Sequence, residues 1–411
     1  MGISEFREIK KEFIEMDPLT DLKILTSNTP VDIYIDGSFY LYTGLIDKNL
    51  NSDGVTYNCE MAADTVCVLI YNIINKIKKL KIIIGDVYVF FDGVKPKSKQ
   101  KTMQIRNDKK QNKDELFKIK NLIIKMFNDQ KYVMCNLVLG EAEHDMFTFR
   151  NTIRPSIMLT DDSDVFHIAY NYNSRTFNDY TFIATKHLNF TCNLQNLVKK
   201  LNNVPKLIFV LLCALKGSDF TCHTFTTSMF KVILSEFKNP SCGRTRKIIE
   251  NLKDLANYQD KELKISNELG KLNSVVYNHL DEESEYVTID GIYQMDVVCL
   301  CIKGLLKILI ETEYKFNWNQ KCVQIDNETY HYETIFDQLK AITWTVNYSL
   351  IGSRYSNYFS NINFPTDLDK YKFYFFILEY EGGDVYSKLT QTKFMNVDRT
   401  LFLNIKDVIS F

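Results

Sequence analysis

Seven carboxylates stand out by where they fall in the chain: Asp36, Asp92, Glu141, Glu143, Asp162, Asp164 and Asp219. Clusters of this kind suit hard divalent cations such as Mg²⁺ or Mn²⁺, which take oxygen ligands. Two such ions about 4 Å apart can cleave a phosphodiester by stabilising both the attacking hydroxide and the leaving oxygen. Taken one by one the acids are ordinary turn and capping residues, and Glu141 and Glu143 at a helix start would also answer the helix dipole. As a set on one edge they would repel one another strongly unless cations lay between them.

The elements that must bring them together are legible. The run from Val31 to Asp36, rich in β-branched and aromatic residues and stopped by Gly37 as a turn, reads as a strand with Asp36 at its carboxyl end. Asp86 to Phe91 repeats the pattern with Asp92 at its tip, and Ser156 to Thr160 runs straight into Asp161, Asp162, Ser163 and Asp164. Between the first two strands a helical pattern places Val66, Leu69, Ile73, Ile77 and Leu80 on one face. Strand, helix, strand implies a parallel pair with a right-handed crossover, and in open parallel sheets the binding crevice lies at the carboxyl ends of the strands. The expected fold is therefore α/β, a central, mostly parallel sheet flanked by helices, with a mainly helical C-terminal addition after Asp219. Residues 1–235 would form the core and 236–411 an aromatic-rich region of unassigned role.

Lys95, Lys97, Lys99, Lys101, Arg106, Lys109, Lys110 and Lys113 stand against a single acid, Asp108, and the run begins three residues after Asp92. A basic stretch so close to the acidic edge reads as a set of phosphate contacts. Behind it Leu116, Ile119, Ile123 and Met126 mark an amphipathic helix.

Composition adds exclusions. The 411 residues carry 50 lysines and arginines against 51 aspartates and glutamates, so affinity for nucleic acid must come from local patches. Ten cysteines without a C-x-x-C pair and six scattered histidines give no zinc spacing, and free thiols in a reducing compartment are expected. The N-terminus has no long apolar stretch of a secretory signal, and the apolar run from Val297 to Ile310 is interrupted by Lys303 and Lys307. The expectation is an intracellular protein, working in the nucleus or at a viral replication site, with no membrane role. Heavy use of Asn, Lys, Ile, Tyr and Phe suggests an AT-rich coding genome such as that of a large DNA virus.

The same residues resemble the flap endonuclease (XPG-type) family of 5′ nucleases, in order, up to about residue 220. Met1-Gly2-Ile3 resembles the family's start, and Ile35-Asp36-Gly37-Ser38 its first aspartate motif, with Tyr42 at the place of the tyrosine that stacks on a base. Val87 to Gly93 is similar to the second motif, with Lys99 and Arg106 at the spacing of the basic pair that contacts the scissile phosphate. Gly140 to Glu143 resembles the E-A-E motif, Thr160 to Asp164 the paired aspartates, and Leu215 to Phe220 the G-S-D motif.

The resemblance implies a 5′-nuclease-like fold, two Mg²⁺ (or Mn²⁺) held by the seven acids, and cleavage of DNA at flaps, ends or branched intermediates. Lys99, Arg106 and Tyr42 would act at the cut, and Lys95, Lys97, Lys101, Lys109 and Lys110 would bind the backbone. The chain departs from the family in three ways. Thr221 to Cys242 holds no glycine where a glycine-containing hairpin grips duplex DNA; residues 95–130 leave room for a shortened helical arch; and no sliding-clamp docking segment is evident. The rival expectation is a structural protein, built on an inherited nuclease fold, that self-associates through its aromatic C-terminal region.

Overall fold

The computed structural model describes residues 29–47, 58–93, 113–128, 133–137, 141–150, 153–172, 181–185, 188, 191–218, 221–257, 294–314, 316, 328–351 and 368–392. The chain divides into two compact units, Met1–Asn202 with Ile351–Asn361, and Asn203–Leu350 with Ile362–Phe411.

The first unit is built on a six-stranded sheet in the order β3-β2-β1-β4-β5-β6. Its strands are β1 (Val31–Asp36), β2 (Ile84–Phe91), β3 (Val133–Leu137), β4 (Ser156–Leu159), β5 (Thr181–Ala184) and β6 (Thr191–Asn193). The pairings from β3 through β5 are all parallel, and β6 alone runs antiparallel, against β5. The chain moves outward from β1 to β3, then returns to the centre to lay β4 on the other side of β1. That reversal is the topological switch point at which open parallel sheets bind ligands.

The period-two alternation of the strands sorts side chains to two covered faces, as parallel sheets require. On one face Ile33, Ile35, Val89, Phe91, Ile157 and Leu159 meet helices α1 (Gly37–Asp47), α2 (Cys59–Lys79) and α3 (Lys113–Asn128) in one apolar core. Helix α2 is capped by Asn58, carries Glu60 in its first turn and Lys76, Lys78 and Lys79 in its last, and buries Val66, Ile70, Ile73, Ile74 and Ile77. Leu69 and Leu80, expected on that face, are only partly buried at its flanks. Ile119, Ile123 and Phe127 of α3 complete the cover. The opposite face carries Tyr34 stacked on Tyr88 at 4.8 Å and Phe90 against Phe149 at 6.0 Å, where α4 (Ala142–Thr148) and α5 (Val165–Tyr172) follow β3 and β4. Helix α6 (Leu194–Lys200) closes the unit after β6.

Gly37 is not a turn, contrary to the sequence expectation: it is the first residue of α1. A Cβ there would lie 2.8 Å from the Phe91 ring and 2.9 Å from Val89, so the strand passes into the helix at a place where only glycine fits.

At the amino ends of the strands Asp32 is fully buried; its Oδ1 makes the contacts, and its Oδ2 has no hydrogen-bond partner among the described residues. Asp32 Oδ1 accepts the Asp86 N–H at 3.0 Å and pairs with Arg154 at 3.3 Å, and Arg154 also reaches Asp86 at 3.0 Å.

The described elements of the second unit are all helices: α7 (Lys206–Lys216), α8 (Thr227–Lys238), α9 (residues 243–257), α10 (Met295–Glu311), α11 (Glu328–Ile351), α12 (Lys370–Glu379) and α13 (Val385–Gln391). Helix α7 is buried from Leu207 to Lys216, as a helix apolar on all sides must be. The apolar run read in the sequence becomes α10, and among the described residues no helix is long and apolar enough to cross a membrane. The described aromatic residues of this unit are mostly interior. Trp344 stacks on Tyr348 at 4.8 Å, Phe373, Tyr374 and Phe376 are buried, and the Tyr374 hydroxyl donates to the Thr224 carbonyl. The described cysteines are free thiols, Cys67, Cys192, Cys213, Cys299 and Cys301 buried.

Candidate metal centre

The acids of the first unit are placed by the carboxyl ends of three neighbouring strands and by the helix that follows the fourth. Asp36 is the last residue of β1, and its Oδ1 caps α1 by accepting the N–H groups of Ser38 at 3.0 Å and Phe39 at 3.3 Å. Asp92 follows β2, Glu141 is the N-cap of α4, Glu143 lies in its first turn, and Asp162 and Asp164 follow β4.

One chain of hydrogen bonds ties these segments to each other. The Ser38 hydroxyl accepts the Asp92 N–H at 2.8 Å, and Asp92 Oδ1 accepts the Ala142 N–H at 3.0 Å. Across the switch point the Thr160 hydroxyl lies 3.1 Å from Glu143 Oε1 and 3.5 Å from Asp36 Oδ2. The same Thr160 oxygen accepts the Asp162 N–H at 3.1 Å, and Asp162 Oδ1 accepts the Asp164 N–H at 3.2 Å.

Asp36, Asp92, Glu141, Glu143 and Asp164 are all buried, and Asp162 is half-buried. The Asp36 carboxyl is held well above the usual carboxylate range. Burial is the largest cause, then the charges of Glu143 and Asp92; the Phe39 N–H opposes them, and Asp162 adds a smaller upward push. Two histidines lie just behind the acids. His144 is pushed down to about 3 by burial and by His167, and burial takes His167 down to about 4.

Among the described residues no three Asp, Glu, His or Cys side chains converge as a ready metal-ligand group. The carboxylates of Asp36, Asp92 and Asp162 instead accept backbone N–H groups, and that of Glu143 meets the Thr160 hydroxyl. The donor set nonetheless fits hard cations: it is all carboxylate oxygen, it is buried, and at Asp36 its charge is opposed by its neighbours, the condition a divalent ion relieves.

Tyr42 is half-buried in the second turn of α1. Asp219, together with Lys95, Lys97, Lys99, Lys101, Arg106, Lys109 and Lys110, lies outside the described residues. Three contributors are missed by the sequence reading: Ser38 and Thr160, whose uncharged hydroxyls join the acidic segments, and Lys120 of α3, which donates to the Asp92 carbonyl. The hints were Ser38 two residues after Asp36 and Thr160 two residues before Asp162.

No family model matches the chain, and no curated protein matches it. Among solved structures it is similar to the catalytic core of Rad2 in complex with DNA substrate, at 17% identity and TM-score 0.39, over 76% of this chain and 99% of that one. It is also similar to the T5 D15 protein co-crystallised with metal ions, at 12% identity and TM-score 0.35, over 80% of this chain and 96% of that one. A further match is the bacteriophage T5 D15 flap endonuclease in a pseudo-enzyme-product complex with DNA and metal ions, at 12% identity and TM-score 0.35, over 78% and 99%.

Proposed function

We propose that the chain is a divalent-metal-dependent nuclease of the 5′, structure-selective kind, cutting DNA phosphodiesters at flaps, ends or branched intermediates. The observation that carries this reading is the hydrogen-bonded chain from Ser38 to Asp164, which joins buried carboxylates at the switch point of a parallel sheet. Asp36, Asp92, Glu141, Glu143, Asp162 and Asp164, with Asp219, would hold two Mg²⁺ or Mn²⁺ directly or through water. When bound, the ions neutralise charge at the phosphate and make water a stronger nucleophile at neutral pH.

The protein's own contribution is positional. Ser38 fixes the Asp92 loop against α1, Asp92 fixes the start of α4, and Thr160 holds Glu143 in reach of the β4 acids. Lys99 and Arg106 would meet charge developing on the scissile phosphate, Tyr42 would stack on a base beside the cut, and Lys95, Lys97, Lys101, Lys109 and Lys110 would follow the backbone.

The test is cleavage of a labelled 5′-flap duplex and a matching single strand, with Mg²⁺, with Mn²⁺ and with chelator, by wild type and by Asp92→Asn. Asparagine keeps the acceptor for the Ala142 N–H and removes the charge, so the variant should fold and fail to cut. Normal cutting by Asp92→Asn would overturn the site. A folded wild type that cuts nothing in any condition but forms ordered assemblies would favour the structural reading.

A further inference from the structure

The second unit holds a cationic groove that the nuclease reading does not use. Helices α9 and α10 pack closely at Gly304, where a Cβ would fall 2.7 Å from Leu252. Beyond that contact they line an open cavity of about 240 Å³. Arg244 and Lys247, three apart and so on one face of α9, stand on one wall, and Lys307 of α10 stands opposite. Ile248 and Ile310 form the floor, and Glu311 is the one acid in the lining. Its pairing with Arg244 is loose, at 3.7 Å with the arginine side chain 82% exposed, so it neutralises little.

The neighbouring helix start is capped by its own side chains. The Thr226 hydroxyl accepts the Met229 N–H at 3.2 Å, Met229 Sδ accepts the Thr226 N–H at 3.5 Å, and the Ser228 and Tyr314 hydroxyls bond each other. The Thr226 and Met229 amides at the head of α8 are thus already satisfied from within.

We propose that the groove between α9 and α10 seats the sugar-phosphate strand of duplex DNA, serving as the duplex grip of this chain. Cations on both walls suit a chain of single negative charges passing between them, and the isoleucine floor suits the apolar face of deoxyribose. Arg244 would exchange Glu311 for a phosphate. The proposal rests on the nuclease reading.

Full-length protein in chelator, titrated against a fluorescein-labelled duplex over a range of salt, tests it by anisotropy. Each phosphate contact removed lowers the slope of log K against log salt by about 0.9, about 8-fold in affinity at 0.1 M salt. Lys247→Gln with Lys307→Gln should therefore flatten the slope by about 1.8 and weaken binding about 60-fold. The control, Arg246→Gln with Lys253→Gln, removes equal charge from α9 outside the groove and should change binding far less. Equal losses in the two double variants, or none in the first, would overturn the groove and leave the nuclease reading standing. A wild type that binds no duplex while remaining folded would overturn both. Competition by poly-glutamate as strong as by DNA would overturn the DNA assignment and mark the groove as a dock for acidic protein.

Discussion

Replacing Asp36 by asparagine should stabilise the protein in chelator. The Thr160 hydroxyl sits between Asp36 Oδ2 and Glu143 Oε1, so these oxygens can be no farther apart than its 3.5 Å and 3.1 Å contacts laid end to end. One hydroxyl has one proton, and it can serve only one of the two carboxylates. Two full charges at that limit repel by about 2.5 kcal/mol at an effective dielectric of about 20. Asparagine removes this repulsion and keeps an oxygen for the Ser38 and Phe39 N–H groups. Because the raised Asp36 carboxyl relieves part of the strain by keeping its proton, the expected gain near neutral pH is about 1–2 kcal/mol, or about 2–8 °C in Tm for a unit of this size. The sign follows from linkage. A carboxyl whose folded pKa is raised costs stability above that pKa and nothing below the unfolded value, so the advantage of the variant should vanish as the pH falls toward 4. Thermal melts of both proteins in chelator across pH, repeated with Mn²⁺, make the measurement. Mn²⁺ should raise the wild type and raise the variant much less. A variant that melts below wild type in chelator at neutral pH, or an identical Mn²⁺ shift in both, would refute the reasoning.

Two further outcomes are expected. His144 and His167, neutral in the folded protein down to about 3 and about 4, take protons only on unfolding as the pH drops through about 6.5. Stability should be full above that pH and fall below it with a slope approaching 2.7 kcal/mol per pH unit for the pair, and urea melts at pH 7, 6 and 5 should show the slope halved in His167→Asn. Thr160→Val should lose about 1–3 kcal/mol by leaving the Asp162 N–H without its acceptor, and should slow cleavage by freeing Glu143; Thr160→Ser should restore both the melt and the rate.

The parts of the fold that sequence announces are those with a strong period or a charged end. β1, β2 and β4 each couple an apolar run to an aspartate, and α2 and α10 carry long apolar faces, so all five were readable to within a few residues. β3, with Cys135 and Asn136 in its five residues, and β5 and β6, with four and three, are too short and mixed to show a period. Gly37 misled because glycine after a strand usually means a turn, whereas here the constraint is that the Phe91 ring leaves no room for a β-carbon. At the site, acids reveal themselves by charge. Ser38 and Thr160 do not, because a hydroxyl becomes a junction only when the fold delivers its partners from segments that are distant in the chain.

Strand β1 contains its own comparison. Asp32 and Asp36, four residues apart and on the same face, are both interior, but the first is matched by Arg154, while among the described residues no ion pair involves the second. One end of the strand thus carries a counter-charge within the protein, and on the proposed reading the other would take its counter-charge from bound ions. Amide exchange along these six residues should accordingly be graded in chelator, slow at Ile33 and faster toward Asp36, and should even out when divalent ions are restored. Ionic composition would then set local rigidity at a single edge of the sheet, so that the edge proposed to act would also be the edge whose order is conditional.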